Sequence, residues 1–216
     1  MKQKTRNKLW LAIALLCAFV LWTVAVRVID VQTIGPRGSA VGFATMNGFV
    51  HSLTGVHMTL YVITDWLGLV PISFALGFAI LGLVQWIGRR GLRYVDFSLF
   101  ALGGFYLLVM AAYILFEEVV INYRPVLIQG YLEASYPSST TLLVLCVMPA
   151  AILQFNTRIN NRSFRQILNL TLAAFTAFMV IGRLVSGVHW FSDIVGGVLL
   201  SAGLVLLYDA LSRKTE

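Results

Sequence analysis

The chain has 216 residues, 59% of them hydrophobic and 12% charged, with a net charge of +7 and a mean hydropathy of +0.84. Soluble domains average about 45–50% apolar and about 25% charged residues, so this composition excludes a cytosolic enzyme, a disulfide-stapled secreted scaffold and a disordered tail. In so apolar a chain the positive charge belongs to loops flanking a membrane, not to a nucleic-acid surface.

Uncharged stretches at 9–26, 66–88, 97–116, 141–155, 166–182 and 194–208 predict an all-α integral membrane bundle of six transmembrane helices within a single domain, 1–216. A spanning helix needs about 20 mostly apolar residues. The first three stretches meet that length. The last three are shorter, but each has a polar flank that can extend it, and the fourth is uncharged back to Ala134. Lipid leaves backbone groups no partner outside the helix itself, which makes helices the expected solution.

The first stretch follows a basic start, as a signal peptide would. It is longer than the usual apolar core and no small-residue cleavage site follows, so it reads as an uncleaved span. Segment 27–65 then carries Gly35, Pro36, Gly38, Gly42 and Gly48 between apolar residues, and reads as a partly helical segment lying at the outer interface. Its His51 and His57 are six apart, do not share a helical face, and read as interface residues. Gly103-Gly104 and Gly196-Gly197 read as positions of close helix packing. Trp10, Trp22, Trp66, Trp86 and Trp190 lie near predicted span ends and read as interface anchors. Cys17 and Cys146 both sit inside apolar runs, where no structural disulfide is expected.

Loop charge sets the expected orientation. With a cytoplasmic N-terminus, Lys2, Lys4, Arg6, Lys8, Arg89, Arg90, Arg93, Arg158, Arg162, Arg165, Arg213 and Lys214 all fall inside, twelve of the sixteen basic residues. Only Arg27, Arg37, Arg124 and Arg183 remain outside. Both termini are then cytoplasmic.

Three polar clusters fall on the outer side by that same count. The first runs from Glu117-Glu118 to Asn122-Tyr123-Arg124-Pro125. The second is Tyr136-Pro137-Ser138-Ser139-Thr140-Thr141 before the fourth span. The third, Arg183 through Ser186, Gly187, His189 and Ser192 to Asp193, joins the last two spans. Two arginines can grip phosphate oxygens with fixed paired donors. Ser138 and Ser139 before a helix offer hydroxyls and helix N-terminal amides. His189 and Asp193, four apart, share a face if the stretch is helical, and a carboxylate so placed can hold one imidazole nitrogen and leave the other free to attack. Nucleophile, orienting carboxylate and cationic clamp together point to phosphoryl transfer.

Arg183, five residues, His189, three residues, Asp193 resembles the third signature of the type 2 phosphatidic acid phosphatase superfamily, which includes membrane lipid phosphatases and soluble vanadate haloperoxidases. Arg124-Pro125 is similar to the end of its first signature, and Pro137-Ser138 to the start of its second. The resemblance runs from about Trp66 onward. It implies six spans with an outward-facing site, His189 as the nucleophile forming a phosphohistidine, Asp193 as its support, and Arg124, Arg183 and Ser138 as phosphate holders.

Four positions depart from the family pattern. The lysine seven residues before Arg124 is Glu117. The Gly-His that follows Pro-Ser in the second signature is Ser139-Thr140. The serine before the last arginine is Gly182. In the family the second histidine protonates the leaving alkoxide, which Thr140 cannot do near neutral pH. Its loss removes a contribution of about 10²–10⁴-fold. Glu117, Glu118 or Tyr136 could substitute, or the substrate could be a diphosphate whose leaving phosphate needs little protonation.

The sequence thus points to a multi-pass cell-membrane phosphatase for a lipid phosphate or diphosphate, a polyprenyl diphosphate by preference. Its active site is expected on the extracytoplasmic side among membrane lipids, without nucleic acid, cofactor or metal, because the arginines neutralise the phosphate. The alternatives are a lipid phosphotransferase and a non-catalytic lipid-phosphate binding or transport accessory protein.

Overall fold

The computed structural model describes residues 3–212. Among them the regular structure is helical, and extended pairing is limited to isolated bridges. In chain order the helices are α1 (Gln3–Val28), α2 (Ala44–Thr54), α3 (Met58–Leu67), α4 (Leu69–Gly88), α5 (Phe97–Glu118), α6 (Ser139–Arg158), α7 (Arg162–Val185) and α8 (Phe191–Ser212). Six candidate spans are long and apolar enough to cross a membrane, α3 and α4 together forming one, Met58–Gly88.

These helices outrun the uncharged stretches for a simple reason. Long basic side chains such as Arg6, Lys8, Arg158 and Arg165 can sit in a terminal turn and still reach water. The second span begins well before residue 66, so part of 27–65 belongs to it, with Thr64 and Asp65 facing the bundle's polar end. The break at Gly68 follows from Pro71, which lacks the N–H that would bond the carbonyl four residues back.

The most enclosed helices are α6 and α8. A Cβ on Gly196 would lie 2.6 Å from the Tyr136 ring, and one on Gly203 2.8 Å from Leu16, so these glycines admit close neighbours. Gly103 and Gly104 do not: a Cβ at either would meet nothing within 4 Å, contrary to the close-packing expectation.

Helix α1 runs antiparallel along α8. Lys8 pairs with Asp209 at one end. At the other, Trp22 Nε1 donates to the Ser192 carbonyl at 3.1 Å and the Thr23 hydroxyl meets the Tyr136 hydroxyl at 2.7 Å. Trp22 is therefore a packing residue and not an interface anchor, whereas Trp10 and Trp66 are exposed as anchors are.

On the Lys8 side, Asp96 gathers three neighbours. Its carboxylate accepts from Gln85 Nε2 at 2.9 Å, Arg89 Nη1 at 2.8 Å and Arg158 Nη1 at 2.9 Å. The Gln85 hydrogen bond, followed by that of Arg89, holds this carboxyl well below the usual carboxylate range. The ends of α4 and α6 are thereby tied to the start of α5.

Helix alternation places Arg6, Lys8, Arg89, Arg90, Arg93, Arg158, Arg162 and Arg165 at this end, and Arg124, Arg183 and His189 at the other. Lys2, Arg213 and Lys214 lie outside the described residues. Exposed Asn160 and Tyr131 mark the two ends. With Cys17 removed, Tyr131→Cys is expected to react with an impermeant thiol reagent in intact cells and Asn160→Cys only after permeabilisation. Equal labelling of both would overturn the six-span topology.

Candidate active site

Residues 122–135 fold back on themselves after α5. Arg124 N–H donates to the Glu133 carbonyl at 3.0 Å, and Ser135 N–H to that of Asn122 at 2.9 Å, with Tyr123 bridged to Ala134. This pairing fixes the Arg124 side chain and the Ser135 carbonyl relative to one another. From the other side, the last turn of α7 carries Arg183, and the turn 186–190 carries His189 to the start of α8.

Gly187 must be glycine in that turn. Its φ is +69°, and an added Cβ would fall 1.8 Å from the Gly55 carbonyl oxygen. His57 N–H donates to the Ser186 carbonyl at 2.9 Å, and His51 Nε2 lies 3.2 Å from the Gly187 carbonyl. His51 therefore abuts the turn that carries His189, a contact that its spacing in the sequence gave no reason to expect. Trp190 is buried, donating Nε1 to the Tyr123 carbonyl at 2.7 Å, so it too is not an interface anchor.

Helix α8 begins only at Phe191, so His189 and Asp193 do not face each other as an i,i+4 pair on one helix. Asp193 occupies the third helical position and accepts the Trp190 N–H at 2.8 Å, half of a capping box. It stands 3.7 Å from His189 Nδ1. The closer partner of Nδ1 is the Ser135 carbonyl at 3.1 Å. A carbonyl only accepts, so Nδ1 carries the proton and Nε2 presents its lone pair. Asp193 holds the turn that carries the imidazole, with its own Oδ1 reached by Asn122 Nδ2 at 3.4 Å. Buried Asn47 completes this support, donating to Ser192 Oγ at 2.9 Å and accepting from Ser192 N–H at 3.0 Å.

His189 Nε2 faces two cations, Arg124 Nη1 at 3.1 Å and Arg183 Nη2 at 3.3 Å. All three side chains are almost wholly buried. Burial pushes the imidazole well below its ordinary value of 6.5, and the Arg124 and Arg183 charges push it the same way. Arg124 Nε lies 3.0 Å from Glu133 Oε2 without the alignment of a hydrogen bond, and Arg183 Nε is buried with no hydrogen-bond partner. Two guanidinium groups with unsatisfied donors beside one neutral nitrogen make a pocket for an anion. Among the described residues no three His, Cys, Asp or Glu side chains converge as metal ligands would.

The other expected residues divide. Ser138 caps α6: it is fully buried, its hydroxyl accepts the Thr141 N–H at 3.4 Å, and its own N–H donates to the Asp193 carbonyl at 3.2 Å. Ser139, not Ser138, lines the narrow recess in front of His189, together with Glu117, Tyr113 and Tyr136. Thr140 lies off that recess. It lines an apolar cleft of about 580 Å³ between α4, α5 and α6, beside Ser139, Leu69, Ile72, Tyr113 and Asp65. Asp65, Thr64 and Tyr61, on the helix start that the charge of Asp65 hid from the span count, also reach Arg183. Ser135, whose carbonyl accepts from His189 Nδ1, left no side-chain signature to read.

A family model described as the PAP2 superfamily matches residues 105–215, just over half of the chain. Among solved structures, the crystal structure of a transmembrane PAP2-type phosphatidylglycerolphosphate phosphatase from Bacillus subtilis superposes with a TM-score of 0.66 at 17% identity. The match covers 95% of this chain and 97% of that one. Among curated protein sequences, none matches significantly.

The buried neutral imidazole has a consequence for stability. Unfolded His189 takes up a proton near its ordinary 6.5, while the folded one does not, so acidification below that value favours the unfolded state. Thermal melts of the purified protein should show wild type losing more stability than His189→Gln as pH falls from about 7 to 5. Parallel pH profiles would contradict a buried neutral imidazole.

Proposed function

The chain belongs to the PAP2 superfamily, and from that premise we propose that it hydrolyses a lipid phosphate or diphosphate at the outer membrane face through His189, without a metal. The observation that carries this reading is the lone pair of His189 Nε2, presented between the Arg124 and Arg183 guanidinium groups. The apolar cleft that meets the recess at Ser139 suits the lipid part of such a substrate. The Bacillus subtilis protein of like fold is a phosphatase for phosphatidylglycerolphosphate, which supports a membrane lipid as substrate class.

In this mechanism the neutral imidazole attacks phosphorus without first losing a proton, since Nδ1–H is held by the Ser135 carbonyl. The P–O bond to the lipid breaks as the N–P bond forms. Arg124 and Arg183 hold the phosphoryl oxygens, and Ser139 lines the recess in front of His189. Their charges are in place before reaction, so stabilising the transition state requires no reorganisation. Water then attacks the phosphohistidine, releasing inorganic phosphate and the free imidazole. A monoester needs a proton on the departing lipid oxygen. Glu117, which lines the same recess as His189, is the side chain assigned to supply it. From a polyprenyl diphosphate the bridging P–O bond breaks and the polyprenyl phosphate departs as an anion that needs no such proton, so the diphosphate remains the favoured substrate.

Phosphate release from a panel of lipid mono- and diphosphates by purified protein, without added metal, tests the reading. His189→Ala should abolish release from every substrate; retained turnover would rule out the phosphohistidine. Diphosphates should be cleaved far faster than phosphatidic acid. Glu117→Gln should slow monoesters by about 10²–10⁴-fold while barely affecting diphosphates. Equal rates on both classes, unchanged by Glu117→Gln, would refute the leaving-group argument.

A further inference from the structure

Arg183 is buried at the end of α7, yet most of what touches its guanidinium comes from α3, outside the segment that the family model matches. Thr64 Oγ1 lies 3.4 Å from Arg183 Nη1. The hydroxyl proton goes to its own helix, to the carbonyls of Leu60 at 2.9 Å and Tyr61 at 3.0 Å, so a lone pair is left for the arginine. The Tyr61 ring lies beneath the guanidinium, 4.8 Å from its carbon to the ring centroid. Asp65 Oδ1 adds a looser, exposed contact at 3.7 Å to the same Nη1.

These contacts sort the donors of the fork. Nη1 is occupied by α3. Nη2 points at His189 Nε2, and Nε has no hydrogen-bond partner. Nη2 and Nε lie on one edge of the planar group, the edge that offers two parallel N–H bonds to an oxyanion. Thr64 on the opposite corner and Tyr61 beneath the plane determine which edge faces the nucleophile.

Gly182, where the family pattern has serine, fits the same arrangement. A Cβ there would lie 2.8 Å from Thr64 Cγ2 and 3.7 Å from Leu60 Cδ1. Thr64, wholly buried, occupies that space.

We propose that Thr64 and Tyr61 are positioning residues that aim the Nη2/Nε edge of Arg183 at the phosphoryl group, and that Gly182 is glycine because Thr64 fills the place of its side chain. This rests on the reading of Arg183 as a phosphate holder.

Orthovanadate binding to the full-length protein in detergent, measured by titration calorimetry beside a thermal melt, tests it. Arg183→Ala should abolish binding; if it binds like wild type, or wild type itself does not bind, the phosphate-site reading falls and this inference with it. Given that loss, Thr64→Val, which keeps the shape and removes the hydroxyl, should weaken binding about tenfold with a nearly unchanged melting temperature. Thr64→Ser keeps the hydroxyl and should bind close to wild type. Gly182→Ala should weaken binding in the wild-type background and recover it when combined with Thr64→Ser, which deletes the clashing methyl. Wild-type affinity in Thr64→Val, or a Gly182→Ala effect that is the same in both backgrounds, would overturn the proposal.

Discussion

Arg124 and Arg183 both direct a guanidinium nitrogen at His189 Nε2, and the rest of that end of the molecule is arranged around the convergence. Two like charges side by side in a buried site repel each other, and each has lost most of its water. Neither arginine is held by its neighbour in the chain alone. Arg124 is aligned by the fold-back of 122–135 and lies beside Glu133, while α3 takes Arg183 by its far corner. The imidazole between them is kept neutral by burial and by both charges, which is the state a nucleophile needs. An incoming phosphate would relieve the repulsion, so the charge arrangement that sets the two cations against each other also favours an anion.

That convergence demands a rigid frame, supplied mostly by hydrogen bonds to backbone. Ser135 holds His189 through a carbonyl, Asp193 closes the first turn of α8, and Ser138 joins the starts of α6 and α8. Asn47 and Asn122 reach Ser192 and Asp193 from two further segments. Each such bond contributes about 1 kcal/mol, but leaving one partner buried and unmatched costs about 1–3 kcal/mol. Substitutions in the frame are therefore felt at the His189 imidazole.

The six apolar helices were legible because lipid imposes a length and an absence of charge that no tertiary contact overrides. Arg124, His189, Arg183 and Asp193 were legible as one cluster because their residue types stand at motif spacing. What the sequence hid had physical causes. Asp65 interrupts an apolar run, so the helix start carrying Tyr61 and Thr64 read as part of an interface-lying segment and not of a span. The spacing of His189 and Asp193 suggested a shared helical face, but α8 starts between them. Ser138 and Ser139 are adjacent and chemically alike; only the start of α6 decides that the first caps the helix and the second lines the recess. Trp22 and Trp190 lie near span ends as anchors do, yet they are spent on backbone carbonyls inside the bundle.

The pairing of α1 with α8 bears on how the protein is made. Trp22 and the Ser192 carbonyl it bonds are 170 residues apart. During synthesis α1 therefore enters the bilayer long before its partner exists, with Ala12, Phe19 and Val26 still turned to lipid. All three are apolar, so the helix is tolerated alone and later docks through packing, as two-stage membrane folding requires. Because α8 also fixes His189 and Asp193, no nascent chain shorter than that helix can assemble the pocket. The pocket is thus completed only once α8 has joined the bundle.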